Sequence, residues 1–230
     1  MTTVYIISAP SGSGKSTLVD KAREIVPGLD FSISYTTRPP RRTEQNGREY
    51  FFVPRTEFEE MVRKDDFLEH ADVFGHCYGT AKCFLRQAEK SGNDLLLDID
   101  VQGAEQIKRK LPEAVSIFIM PPNRKVLESR LRKRSLDTEE VIQRRLVTAS
   151  REIENYEKYD YILVNDRLDE SIEALTAILL AERLKRSGVH GSADDAEKLA
   201  KAEGCRLSNI REGLQPILAS FTTAATSGGR

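Results

Sequence analysis

Apolar residues in this chain fall into short runs separated by polar, helix-periodic segments. The first run, Val4-Tyr5-Ile6-Ile7, is β-branched and too short for a helix, so it reads as a buried strand. Thr17–Val26 follows with helical character and stops at Pro27-Gly28. Phe31–Thr37 alternates and is rich in β-formers, which predicts one strand over those residues. Two prolines in Arg38-Pro39-Pro40-Arg41-Arg42 exclude helix and present three arginines on an extended loop. Asn46-Gly47 signals a turn before a strand at Tyr50–Val53, which makes this region a small β unit. Thr56 and Glu59 have capping-box spacing and introduce a helix reaching about Lys64. Phe67–Phe74 is extended and closes at Gly75 and Gly79.

Ala81–Lys90 has helical character and ends at Ser91-Gly92. Leu95-Leu96-Leu97-Asp98-Ile99-Asp100 is an apolar strand ending in carboxylates, the end at which ligands sit in open α/β sheets. A helix over Gln102–Leu111, a strand over Val115–Met120 and a break at Pro121-Pro122 come next. Two arginine-laden helices, Lys125–Arg134 and Thr138–Glu157, are joined at Ser135-Leu136-Asp137. The strand Tyr161–Val164 ends at Asn165-Asp166, and a helix covers Leu168–Lys185. This alternation predicts an α/β fold with a mostly parallel sheet, interrupted by insertions at 32–80 and 124–157. From Ser187 the composition shifts to Gly, Ser, Ala and Thr, with one short helix near Ala193–Glu203. Residues 187–230 are expected to be an appendage, partly ordered or disordered.

Composition narrows the function classes without choosing one. The 230 residues carry a net charge of −1 with 31% charged side chains, a balance that calls for neither nucleic acid nor a membrane surface. The longest apolar runs are strand-length, and the first leads into a polar loop rather than a cleavage site, so no membrane span or signal peptide is expected. Cys77, Cys83 and Cys205 match no zinc spacing and no disulfide framework, which fits a reduced, cytoplasmic protein.

The chemistry begins directly after the first strand. Ala9-Pro10-Ser11-Gly12-Ser13-Gly14-Lys15-Ser16-Thr17 joins strand to helix through small residues, the context of a phosphate-binding loop, although Ala9 stands where the pattern has Gly. In such a loop backbone N–H groups and the helix dipole cradle a polyphosphate, Lys15 reaches the β/γ-phosphates and Ser16 holds Mg²⁺. Asp98, after three leucines, suits a Walker-B carboxylate near that ion. Asp100-x-x-Gly103 also fits a GTPase switch, but no guanine-reading Asn-Lys-x-Asp is present. Arg38, Arg41 and Arg42 on the proline-stiffened loop, and Arg130, Arg134, Arg144 and Arg145 on the helix pair, suit phosphate oxygens. One set would clamp an acceptor phosphate and the other close as a lid. Glu128, Glu139 and Glu140 stand at helical spacing to pair with several of the second set.

With these segments in view, the chain resembles guanylate kinases. The resemblance is carried by Ser8–Thr17, Ser34–Arg41, Gly47–Phe52, Phe67–Ala71, Tyr78–Thr80, Leu97–Ala104 and Val164–Asp166, in the family's order over about residues 3–186. Ala9 is within that family's usage. The resemblance implies a three-layer P-loop core (1–31, 81–123 and 158–186) with a mostly parallel sheet, an inserted β-rich GMP-binding subdomain (32–80) and a helical lid (124–157). It implies Mg²⁺-dependent transfer of the ATP γ-phosphoryl group to GMP, and to dGMP, by a monomer or homo-oligomer. Ser34, Arg38, Arg41, Tyr50, Glu69, Tyr78, Gly79, Thr80 and Asp100 would contact GMP. Residues 9–17 and Asn165 would bind ATP, with Ser16 and Asp98 at the metal. Lys15, Arg38, Arg134 and Arg145 would act in catalysis. Guanine presents N1–H and its 2-amino group as adjacent donors, both of which a carboxylate such as Glu69 can accept, whereas adenine has a lone pair at N1. The sequence departs from the family at Lys133-Arg134-Ser135, which lacks the usual lid glycines, and at His76-Cys77. A non-catalytic phosphoprotein-binding module of the same fold, and a kinase for another monophosphate, are the competing readings.

Overall fold

The computed structural model describes residues 2–41, 43–73, 75–134, 138–188 and 191–222. In chain order its elements begin with β1 (Val4–Ser8), α1 (Lys15–Ile25), β2 (Leu29–Ser32), β3 (Tyr35–Thr36) and β4 (Phe51–Phe52). There follow α2 (Arg55–Arg63), β5 (Phe67–Val73), β6 (His76–Ala81), α3 (Lys82–Ser91), β7 (Asp94–Asp98) and α4 (Val101–Lys110). Next come β8 (Val115–Met120), α5 (Arg124–Arg134), α6 (Glu139–Ile153), β9 (Tyr161–Val164) and α7 (Leu168–Ser187). The chain then forms α8 (Ala193–Gly204), α9 (Leu207–Ile210) and α10 (Gln215–Thr222). No helix among the described residues is long and apolar enough to cross a membrane. The molecule is a mixed α/β protein in which β1, β2, β7, β8 and β9 make parallel pairs, and it divides into two compact units.

The first unit comprises Met1–Ile7 and Pro27–Val115. In it β7 pairs in parallel with β1 on one side and β2 on the other. Leu95, Leu96 and Leu97 are fully buried, as both faces of a parallel strand must be when helices cover them. A second sheet, β4-β3-β6-β5, packs Phe58, Phe67 and Ala81 into a small aromatic core with Tyr35, Val53 and Phe84. The single strand expected over Phe31–Thr37 is therefore two. Pairing with β7 ends at Ser32, and Tyr35–Thr36 pairs with β4 and β6 in the other sheet. The capping box at Thr56 does not form: the N-cap of α2 is Pro54, two residues earlier, with no side-chain cap. Gly75 lies in the turn between β5 and β6, but Gly79 lies inside β6 and does not close a strand. There a Cβ would stand 2.9 Å from the Phe67 ring, so glycine is required by packing.

The second unit comprises Ser8–Val26 and Ser116–Arg230. Here β8 and β9 pair in parallel from Ile117↔Tyr161 to Met120↔Val164, and α1 packs on α7. The second arginine-laden helix ends earlier than expected, at Ile153, and a 3-10 turn at Tyr156–Lys158 leads into β9. Residues 191–222 contain three helices, of which α8 opens on a capping box formed by Ser192 and Asp195.

Candidate functional site

In the second unit the segment after β1 wraps the start of α1. Gly12 and Gly14 both have φ of +90°, backbone that side-chain-bearing residues rarely adopt. Left-handed residues in such a loop turn successive N–H groups toward one concavity, an anion-binding nest. Close packing makes the same demand. A Cβ on Gly12 would stand 2.8 Å from Leu131 Cδ2, and one on Gly14 would overlap the Asn165 amide. Asn165 is buried, donates from Nδ2 to the Ser13 carbonyl at 2.7 Å, and donates its own N–H to Met120 O. It thereby fixes the loop that sequence reading assigned to the nucleotide. Ser13 N–H turns back to Pro10 O at 3.1 Å, and Ala9 and Pro10 complete the bend. Lys15, Ser16 and Thr17 form the first turn of α1, where the orphan N–H groups and the dipole favour an anion.

The helix pair brings guanidinium groups to this loop. Arg145 Nη2 donates to Ser11 Oγ at 2.7 Å, and Arg130 Nη2 donates to the Asn165 carbonyl at 2.9 Å. Arg130 Nη1 and Ser13 Oγ are buried without a protein partner, so both have hydrogen-bonding capacity to spare. Arg132 and Arg144 are spent on the surface, paired with Glu128 and Glu139 and with Glu140. Arg134 ends α5, and its side chain lies outside the described residues, as do Arg42 and the joining residues 135–137.

In the first unit a different cluster forms where β5, β6 and α4 meet. Glu69 on β5 is 3% exposed and accepts from Thr80 Oγ1 on β6 at 2.6 Å. Burial pushes its carboxyl up to about 7; the Thr80 bond opposes this and the nearby Asp100 charge adds to it. Asp100 caps α4, its Oδ1 accepting from Gly103 N–H at 2.8 Å. A Cβ on Gly103 would come within 2.6 Å of Glu69 Oε2, so this helical glycine makes the room in which the carboxylate sits. Ser34 lies between β2 and β3, and its carbonyl accepts from Phe51 N–H.

Arg38 organises a second group in that unit. Its guanidinium donates to Glu44 Oε1 at 2.9 Å and to Pro39 O at 2.8 Å, and it is also hydrogen-bonded with Tyr78. It stands 5.4 Å from the centre of the Tyr50 ring, and Tyr50 meets Tyr78 edge-on. Arg41 is exposed, and its backbone N–H donates to Glu44 Oε2 at 2.7 Å. Burial disfavours the Glu44 charge, but the Arg38 and Arg41 bonds outweigh it and hold the carboxyl below its usual range. The structure thus brings Arg38, Tyr50 and Tyr78 together, and Glu69 with Thr80 and Asp100. Gly79 is set against the aromatic core.

Sequence reading missed two residues that shape these clusters. Glu44 carries a signal, a lone carboxylate six residues after Arg38 among arginines. Gly103 carries another, a glycine placed where a helix prefers any other residue but proline.

Asp98 stands half-buried at the carboxyl end of β7. Among the described residues no group of three or more His, Cys, Asp or Glu converges on one point. A hydroxyl such as that of Ser16 and a carboxylate such as Asp98 are hard oxygen donors, and Mg²⁺ takes one or two of these beside water and phosphate oxygens. Each of the two residues is thus of the donor type that ion takes.

The family model described as guanylate kinase matches residues 1–182. A guanylate kinase of Koribacter versatilis is 59% identical over 225 residues, covering 96% of this chain and 97% of its own. A guanylate kinase of Escherichia coli K12 is 49% identical over 187 residues, covering 80% and 90%. The crystal structure of guanylate kinase from Anaplasma phagocytophilum matches with a TM-score of 0.63 at 34% identity, covering 79% of this chain and 86% of that one.

Proposed function

The chain belongs to the guanylate kinase family, and from that premise we propose how its residues divide the work of moving the ATP γ-phosphoryl group to GMP. The observation that carries the assignment is the Glu69 carboxylate, buried beside Thr80 in space kept open by Gly103. Guanine N1–H and N2–H would donate to it, and Asp100 would take part in the same contact. Adenine offers a lone pair there, leaving a buried charge unsatisfied. Ser34 would donate to O6. Arg38, Arg41, Tyr50 and Tyr78 would hold the acceptor phosphate, with Glu44 orienting the Arg38 fork.

For the donor, residues 9–17 would cradle the ATP phosphates, with Lys15 on the β and γ oxygens and Asn165 beneath the loop. The spare capacity of Ser13 Oγ and Arg130 Nη1 accords with a phosphate-rich ligand. Arg145 and Arg134 would neutralise the transferring group. Because the acceptor is already an anion, no side chain need act as a strong base, and rate arises from positioning and charge neutralisation. Mg²⁺, held through Ser16 and Asp98, would neutralise phosphate charge. Residues 32–80 are assigned to acceptor binding, 124–157 to a lid and 1–31, 81–123 and 158–186 to the core. A cytoplasmic setting accords with the free thiols of Cys77, Cys83 and Cys205. The phosphate loop keeps its Lys and Ser, so the non-catalytic module is not favoured.

The test is ADP release from ATP–Mg²⁺ with GMP, dGMP, AMP, CMP and UMP in turn. Turnover confined to the two guanine nucleotides is expected. Turnover with AMP equal to that with GMP overturns the Glu69 assignment, and no turnover in a folded sample overturns the transfer chemistry.

A further inference from the structure

Residues 191–222 lie outside the family model, yet they pack against the rest of the second unit at three separated stations. The first is the free side of β9. Ile162 N–H donates to Cys205 O at 2.8 Å and Leu207 N–H to Asp160 O at 3.1 Å, an antiparallel bridge centred on Tyr161 and Arg206. Arg206 lies 4.6 Å over the Tyr161 ring and donates to Glu182 at 3.0 Å, and Tyr161 OH donates to the same carboxylate. The Asp160 side chain in turn accepts from the N–H and hydroxyl of Ser116 at the start of β8.

The second station is the turn after α6, where Glu157 pairs with Arg211. The third is the start of α5. Arg124 N–H, one of the four orphan donors of that helix end, donates to Ser220 Oγ on α10 at 3.1 Å. Ser220 Oγ passes its own proton to Ile217 O at 2.6 Å, so its lone pair is directed at Arg124. The Arg124 side chain reaches Ser150 of α6 at 3.5 Å, joining the two helices at the same level. Phe221 and Leu214 are buried and anchor α10, which packs on both α5 and α6.

The second and third of these stations fall at the base of the helix pair. Further along the pair stand Arg130, which reaches Asn165 after β9, and Arg145, which reaches Ser11 of the donor loop. A helix hairpin fixed at its base has fewer orientations, and any orientation that withdraws the arginines lowers the fraction competent for ATP. We propose that residues 192–222 are a positioning element for phosphoryl transfer, a strap that seals β9 and sets the base of the α5–α6 pair so that its arginines address the donor phosphates. The inference rests on the donor-site reading above.

Full-length variants separate the two. Phe221→Ala loosens α10 and is expected to raise the ATP KM at least about fivefold, the equivalent of one net hydrogen bond, with the GMP KM unchanged. Ser220→Ala shifts the ATP KM in the same direction by a smaller factor, and Ser220→Thr, which keeps the hydroxyl, restores it. Arg145→Ala reports on the donor reading itself. If Arg145→Ala leaves ATP kinetics untouched, that reading fails whatever the strap does. If Arg145→Ala is impaired while folded Phe221→Ala shows only a lower Tm with both KM values at wild type, the strap proposal alone is overturned. Should Phe221→Ala not fold, the Ser220 pair decides: equal ATP KM in Ala and Thr variants contradicts the proposal.

Discussion

Burial of Glu69 has two consequences that pull in opposite directions. A carboxylate hidden from water discriminates sharply between donors and acceptors on a base, because the wrong partner leaves its charge unsatisfied. The same burial, with Asp100 nearby, raises its proton affinity until the free protein titrates at about 7. On the proposed reading guanine donors favour the ionised form, so GMP binding and loss of that proton would be linked. Between pH 6 and pH 8 the ionised fraction rises from about one-tenth to about nine-tenths, and the GMP KM should fall by about tenfold. The GMP phosphate titrates in the same region, and Glu69→Gln separates the effects by keeping only the phosphate's share. A wild-type profile superimposable on that of the variant would contradict the linkage. In the free protein the sign is the reverse. The folded pKa lies above the unfolded one, so this group's contribution to stability is full below about 4.5 and lost as pH rises through about 7.

Among the elements, the loop at the start of α1 is the most constrained. Gly14 combines φ of +90° at a helix start with contact against Asn165, so Gly14→Ala meets both backbone strain and overlap. A cost of about 1–3 kcal/mol in thermal or denaturant unfolding is expected, together with a raised ATP KM. Wild-type stability and ATP kinetics would show that the loop tolerates another shape. This loop was legible in sequence because its glycines and its strand–helix context are local properties. So were β8 and β9, continuous apolar runs ended by Pro121 and by Asn165-Asp166. The division of Phe31–Thr37 was not legible, since β2 and β3 alternate alike and differ only in which strands receive them. Thr56 carried a capping pattern that Pro54 pre-empted two residues earlier. Helix α10 escaped notice because Ala, Ser and Thr do not announce it; its helix is held by Phe221 and Leu214 against the rest of the unit.

At the scale of the molecule, the two proposed chemistries fall in two units. The residues proposed to bind the acceptor, Glu69, Thr80, Asp100, Arg38, Tyr50 and Tyr78, belong to the first, and the phosphate loop with Asn165, Arg130 and Arg145 to the second. The residues proposed to touch nucleotide stood out in sequence because their types and spacing carry the chemistry. The residues that shape them did not. Glu44 and Gly103 act by where the fold sets them, one against Arg38 and the other beneath Glu69, and no local pattern encodes a tertiary neighbour. The central claim is that a buried carboxylate selects guanine for transfer by a separate phosphate loop. Its most direct test is the steady-state kinetics of Glu69→Gln with GMP at saturating ATP–Mg²⁺ and with ATP at saturating GMP. The kcat/KM for GMP should fall by about ten- to a hundredfold, the loss of one charge-assisted hydrogen bond, while the ATP KM stays within about twofold of wild type. Wild-type GMP kinetics in the Gln variant would contradict the account.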